Sequence, residues 1–319
     1  MSKPIINLYW FKRDLRLLDN VPLQKSLDDK YPTLLFYLFE PILKKEKHYS
    51  KRHWTFVKES LADLNNNLKK YNSKVHVYEL DAIIFFRKIL DKYIINKVYS
   101  HEETGIDITF KRDLEVKKFC KKNKIQWIEE VRNGVFRGRE NRTNWTKDWN
   151  NYMKLNIVEL DCDSNDFFNL DDKLLKTKDL LLENNKGGFQ KGGTTEGLKY
   201  LKSFLKDRFK SYQTNISKPL DSRFSCSRLS PYFAWGNLST RYVWQLAKNE
   251  VFSGKSKFHL NAFTSRLRWQ AHFIQKFEME SEMEFRSVNR GYEKIDKKIN
   301  KKYIKAWEEG KTGYPLVDA

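Results

Sequence analysis

The sequence predicts an α/β domain built on a doubly wound parallel sheet, followed by an all-helical domain. Three observations carry that prediction. Short β-branched and aromatic runs alternate with amphipathic helical stretches up to about residue 131. Convincing strands stop beyond residue 194. The length of 319 residues suits about two domains, each able to bury its own core. Strands and helices alternating at this rhythm imply a parallel sheet covered on both faces, and right-handed crossovers make it doubly wound. The expected division is an α/β domain at 1–132, a connector at 133–193 and a helical domain at 194–319.

INLYWFK at 6–12 reads as the first strand, and RDLRLLDN after it as a polar connection. TLLFYLF at 33–39 is the second. Phe56, Leu61, Leu64 and Leu68 keep one face of a helix at 53–68 apolar. KVHVYEL at 74–80 alternates like a strand; 82–93 is helical, 97–100 a short strand, 110–122 helical, and IQWIEEV at 125–131 a strand.

In the connector, Arg137, Arg139 and Arg142 interleave with Trp145 and Trp149, so the stretch reads either as a nucleic-acid edge or as a crossing whose tryptophans pack onto the first domain. Residues 161–185 are acidic and leucine-punctuated. GGFQKGG at 187–193 is a loop, without the strand and Lys-Ser/Thr pair that a nucleotide-phosphate loop needs.

The helical half opens with Leu198, Leu201, Phe204 and Leu205 on one face of a helix ending near Tyr212. CSRLSPYFAWGNLSTR at 226–241 then packs a turn and two helix starts into sixteen residues. Ser230 before Pro231 is a natural N-cap, and free amides at a helix start, with the bidentate reach of Arg228, suit a diphosphate. The plainer alternative is a capped helix pair with one solvated arginine. The first helix should stop at Gly236-Asn237, with Ser239 capping a second that carries Tyr242, Trp244 and Leu246. A helix at 258–277 has a core stripe of Leu260, Phe263, Leu267, Ala271 and Ile274, and a second face of Arg266, Trp269, Gln270 and Phe273.

The formal charge is +20 and the pI about 9.6, which makes nucleic acid the first candidate partner. A merely solubilising lysine surface is the alternative. Nine Trp, sixteen Tyr and twenty-two Phe tilt the balance, because unstacked bases are held on aromatic faces beside basic grooves. No apolar run is long enough for a membrane span and Met1 to Pro4 leads straight into a strand, so a cytoplasmic location is expected. Cys120, Cys162 and Cys226 lack CxxC spacing and read as free thiols, not as a disulfide, zinc or iron–sulfur framework.

CSRLSPYFAWGNLSTR, LYWFKRDLRLLDNVPL at 8–23 and AWEEGKTGYPLVDA at 306–319 resemble, in order, three segments of the DNA photolyase and cryptochrome family. The resemblance implies FAD as cofactor, held by Cys226, Ser227, Arg228, Leu229 and Ser230, with Tyr212 against its ribityl-phosphate region. The 258–277 helix resembles the family's E-L-x-W-R-E-F helix, which lines the flavin and the flipped pyrimidine pair. Trp269 matches the tryptophan that stacks on the lesion. Arg266 stands where typical members carry the base-reading Glu, Gln270 where they carry Arg, and Ala271 at the second Glu.

The implied activity is light-driven repair, in which reduced flavin donates an electron to an extruded pyrimidine dimer in damaged DNA. A flavin photosensor without repair activity and an inactive fragment stay open beside it. No obligate protein partner is expected. His272 reads as a structural histidine, with a proton donor as the alternative. Ile108-Thr109 replaces the Asn-Glu pair of folate-carrying members, so an antenna folate is not supported and a deazaflavin or no antenna is left. The sequence ends at Ala319 in mid-motif, as a truncated member would.

Overall fold

Five parallel strands form one sheet in the order β3-β2-β1-β4-β5, with β1 at Ile5–Phe11, β2 at Thr33–Leu38, β3 at His76–Tyr78, β4 at Ile94–His101 and β5 at Gln126–Glu130. They belong to a computed structural model that describes residues 3–170, 188–254, 256–295 and 298–318. The described residues fall into two compact units, 1–279 and 280–319. The acidic stretch is described only as far as residue 170, and Gly187 lies outside the described residues.

Strand side chains alternate between faces with period two. Ile6, Leu8 and Trp10 of β1 and Leu34, Phe36 and Leu38 of β2 therefore share one face, packed under the helices Ala82–Lys92 and Asp107–Lys122 through Phe85, Phe86, Ile89 and Val116. Tyr9, Phe11, Leu35 and Tyr37 share the other with Trp54, Val57 and Leu61 of the helix Lys51–Leu68. That second core continues into the helical half through Phe204, Leu229, Tyr232, Phe263 and Leu267. The helices between residues 194 and 279 are thus built on one face of the sheet.

Two strand lengths differ from expectation. β4 runs through eight residues because it pairs with both β1 and β5. β3 keeps only three because it lies at the edge and pairs with β2 alone. Trp145 and Trp149 are buried and do not face a nucleic acid, but they pack on the connector's own Val135 and Met153 and on Ala271 and Trp244 of the helical half, not onto the first domain as the crossing reading expected. Leu198, expected on the apolar face of its helix, is exposed. The loop at 188–193 is packed down: a Cβ at Gly192 would meet the Phe56 carbonyl at 2.0 Å, and the Gly192 amide donates to Glu59 at 2.7 Å. Only glycine permits that approach.

The connection after β1 grips the segment 234–241. Arg13 donates to the Ala234 carbonyl, the Leu15 amide to the Trp235 carbonyl at 3.1 Å, Arg16 to the Gly236 carbonyl at 3.1 Å, and the Asn237 side chain to the Leu15 carbonyl at 3.1 Å. Gly236 sits at φ +70° with Arg13 O only 2.1 Å from where a Cβ would stand. Asp19 closes the grip, accepting from Ser239 and from Arg241, whose Nε lies at 3.1 Å. Burial opposes ionisation of Asp19, yet the Arg241 and Ser239 hydrogen bonds hold its carboxyl below the usual range. Ser239 also caps the helix Thr240–Phe252 by accepting from the Tyr242 amide, as its sequence position indicates.

The second unit carries one two-turn helix, Lys301–Glu308, whose cap Asn300 accepts from the amides of Lys302 and Tyr303. Its last turn is closed by the Glu309 amide on the Lys305 carbonyl and the Lys311 amide on the Ala306 carbonyl, and the turn that follows is held by Asp318, which accepts from Thr312 and Gly313.

Removing one partner of a buried, hydrogen-bonded charge pair leaves the other charge uncompensated. Asp19→Ala should therefore lower the unfolding free energy by about 3 kcal/mol in urea denaturation. A loss below about 1 kcal/mol, the size of a surface pair, would contradict the grip.

Candidate functional site

The helix Pro219–Ser225 ends at Cys226, which is extended, and the chain reverses through Arg228 at φ +59° and Leu229 in the right-handed region before the helix Ser230–Ala234. A left-handed non-glycine residue costs roughly 1–2 kcal/mol and persists where neighbours over-determine it. Here they do. The Cys226 carbonyl accepts from Arg208, the Ser227 carbonyl from Arg208 at 3.3 Å, and the Arg228 carbonyl from Gln190 at 2.8 Å. Leu229 is fully buried beneath them.

This geometry corrects two expectations. Leu229, not Ser230, occupies the cap position, and the Ser230 hydroxyl makes no capping bond, because the left-handed Arg228 turns the chain one residue earlier. The helix that follows has five residues, too few to add much dipole. What remains for an anion is the turn itself: successive amides in left- and right-handed conformations form a concavity that suits one. Among the described residues neither Arg208 nor Arg228 has a carboxylate partner. Burial presses the Arg208 pKa downward, and the Arg228 charge adds to it.

Tyr212 is buried edge-on against Phe204 and Phe263, with ring centroids 5.6 and 5.8 Å apart. Burial pushes its phenol up, against the smaller opposing pull of the Arg266 charge. Tyr212 packs on Phe263 of the helix Lys257–Met279, and Cys226 of the turn packs against the same buried core. On that helix Leu260, Phe263, Leu267 and Ala271 are buried, as their spacing indicates. Arg266 lies over the Trp269 ring at 5.5 Å, and Trp269 packs on Phe273 at 5.9 Å. Trp269 is 49% exposed and Phe273 57%, an aromatic ridge beside an arginine. Gln270 is half-buried. Neither Arg228 nor Ser230 shares a hydrogen bond, ion pair or ring contact with Trp269 or Gln270 among the described residues.

His272 lies 3.0 Å from Arg142 and edge-on to Trp145 at 5.8 Å; burial, then Arg142, lowers its pKa. It packs beside Trp145 and Arg142. Cys120, Cys162 and Cys226 are free, and no cluster of ligating side chains fit for a metal occurs among the described residues. Among those residues no helix is long and apolar enough to cross a membrane. Arg208, Gln190 and Asp19 carried no sequence signal, since their partners lie 18, 38 and over 200 residues away.

The carboxyl edge of the sheet is a second concave place, at the switch between β1 and β4 where open α/β sheets commonly bind ligands. Here side chains fill it. Arg112 pairs with Glu40, Glu103 and Asp113 and lies over Trp10 at 4.8 Å, while Lys12 reaches Asp113 and Glu129. The remaining cavity, of about 20 Å³, is lined by Trp54, Trp235, Tyr37, Tyr49, Arg13 and Glu40 among others. That is room for one water, which would serve the otherwise unpartnered Glu40 Oε1.

The family described as DNA photolyase matches residues 7–147, and the FAD binding domain of DNA photolyase matches residues 263–319. The chain belongs to the DNA photolyase and cryptochrome family. A deoxyribodipyrimidine photo-lyase of Buchnera aphidicola is 25% identical over 98% of this chain and 68% of its own length. Cryptochrome-2 of Gallus gallus is 23% identical over 98% of this chain and 58% of its own. In fold the chain is similar to the archaeal photolyase of Sulfolobus tokodaii solved with two FAD molecules (TM-score 0.75, 24% identity, 98% of this chain and 69% of that one). It is also similar to a Synechocystis cryptochrome (TM-score 0.80, 21% identity, all of this chain and 70% of that one). The turn at Cys226–Ser230, with the guanidinium groups of Arg228 and the neighbouring Arg208 and no carboxylate paired with either among the described residues, fits the flavin diphosphate that the family's cofactor carries.

The filled sheet edge of this photolyase-family chain has a pH signature. Burial outweighs the pull of Arg112 and pushes the Glu40 carboxyl up to about 7, and burial likewise raises Glu278 to about 7. A carboxyl whose folded pKa is raised stabilises the fold fully below its unfolded value and loses that contribution as pH climbs through the folded one. Unfolding free energy should fall by about 1 kcal/mol per such group between pH 6 and pH 8. Glu40→Gln should flatten the slope by one group's share. An unchanged slope would mean that Glu40 is ionised throughout.

Proposed function

We propose that this chain holds FAD at the Cys226–Ser230 turn and acts in the blue-light-driven repair of pyrimidine dimers in DNA. The observation that carries the reading is the ridge of Arg266, Trp269 and Phe273, exposed on a helix whose inner side packs on Tyr212, within the buried core against which Cys226 of the turn also packs. Cofactor cradle and aromatic platform are therefore parts of one local structure.

Reduced FAD, when bound, supplies the photoexcited electron that splits the dimer. The chain's own residues bind and orient. Ser227, Arg228 and Ser230 hold the diphosphate, with the backbone of Cys226 and Leu229 completing the turn, and Tyr212 and Gln270 line the flavin. Trp269 offers a stacking face to a base pair drawn out of the duplex, which an enzyme of this kind obtains by spending a few kcal/mol of unstacking. Arg266, a donor-only side chain, contacts phosphate or base acceptor oxygens in place of the usual Glu. The net charge of +20 favours a polyanionic partner with salt-dependent affinity.

Arg266 also favours a second reading, a flavin photosensor without repair activity, because a guanidinium cannot accept the hydrogen bonds that a carboxylate accepts from a flipped base.

Absorption bands of bound flavin and light-dependent reversal of dimers in an irradiated oligonucleotide test the two readings together. Trp269→Ala should weaken binding of dimer-containing DNA by about tenfold or more, the worth of one stacked base, and leave flavin content unchanged. Flavin binding without reversal of any dimer would favour the photosensor. Absence of flavin binding would sink both.

A further inference from the structure

Arg208 lies just beyond the helix Thr194–Lys206, outside the family-like motifs of the sequence and outside both family-model matches. One side of its guanidinium is anchored by the Tyr200 carbonyl at 2.7 Å and the Ser203 hydroxyl at 2.9 Å, and its face lies over Phe204 at 5.8 Å. The same group donates to the carbonyls of Cys226 and Ser227. With Gln190 on the Arg228 carbonyl, three consecutive carbonyls of the turn are taken by side-chain donors. The amides of Ser227, Arg228 and Ser230 have no partner among the described residues. Carbonyls are what an anion must not meet, and free amides are what it needs.

We propose that Arg208 is the positioning residue that makes this turn a diphosphate cradle: it ties the carbonyls down on one side and leaves the amides and Arg228 to the phosphates. The proposal rests on the FAD-binding reading above. An arginine suits the task because its planar fork bridges several acceptors at once, which the single ammonium of lysine cannot do with the same geometry. Its charge, uncompensated by any carboxylate among the described residues, adds to the attraction.

The test compares FAD with riboflavin, which has the same ring system without the diphosphate, by equilibrium fluorescence titration of the full chain. Arg208→Met should weaken FAD binding by about tenfold or more, the worth of one charge-assisted contact, and leave riboflavin within about twofold. Arg208→Lys should fail to restore FAD affinity. Adding Arg228→Met to Arg208→Met should cost less than Arg228→Met costs alone, because the turn that aims Arg228 is already lost. If Arg208→Met does not fold, judged by its thermal midpoint, Gln190→Leu frees the neighbouring carbonyl and should show the same preference for riboflavin over FAD.

Equal losses for both flavins, or none, would overturn the role of Arg208 while leaving flavin binding in place. Failure of the unaltered chain to bind FAD would overturn the reading beneath it and the proposal together.

Discussion

The grip of residues 13–19 on residues 234–241 is the constraint on which the rest of the structure depends. It joins the end of the central strand to the segment that follows the proposed flavin turn, across more than two hundred residues of sequence. Each contact is a backbone carbonyl or amide satisfied by the other segment, or a buried carboxylate satisfied by Ser239 and Arg241. None can be released without leaving a buried polar group unpaired, which makes the register between sheet and helices specific. Gly236 is part of that specificity, because any side chain there would strike the Arg13 carbonyl.

The apolar core supplies the stabilisation that this polar seam only directs. Tyr9 and Phe11 on one side of β1 and Phe204, Tyr232 and Phe263 from the helices belong to a single buried cluster, so the helices between residues 194 and 279 share the core of the sheet. The opposite face of the sheet is closed by its own two helices and is independent of the proposed site. The same division places the buried charges. The Arg112 cluster fills the sheet edge, where it neutralises itself, whereas Arg208 and Arg228 have no carboxylate partner among the described residues.

Local physics was legible in the sequence. The β-branched, aromatic and apolar runs of β1 and β2 give strands, and the apolar stripe of the 257–279 helix gives a helix with its inner face, in agreement with the structure. The Ser239 cap and the stop at Gly236 are equally local. The Ser230 cap failed because the left-handed Arg228, which moves the helix start, is imposed by Arg208 and Gln190 from other parts of the chain. RDLRLLDN was legible as a polar connection and as part of a family-like opening, but its work as a clasp depends on partners that no local window contains. The fate of Trp145 and Trp149 was undecidable from composition, since an interleaved Arg/Trp stretch serves a buried crossing and a nucleic-acid edge alike.

The most direct test of the account follows backbone amide hydrogen exchange in the full chain as FAD is added. If the clasp and the turn act as one cofactor-binding unit, residues 12–19 and 234–241 should gain protection together with 226–230, over the same range of FAD concentration. Protection confined to 226–230, with 12–19 unchanged, would contradict the claim that the connection after β1 organises the site, and no protection anywhere would contradict the site itself.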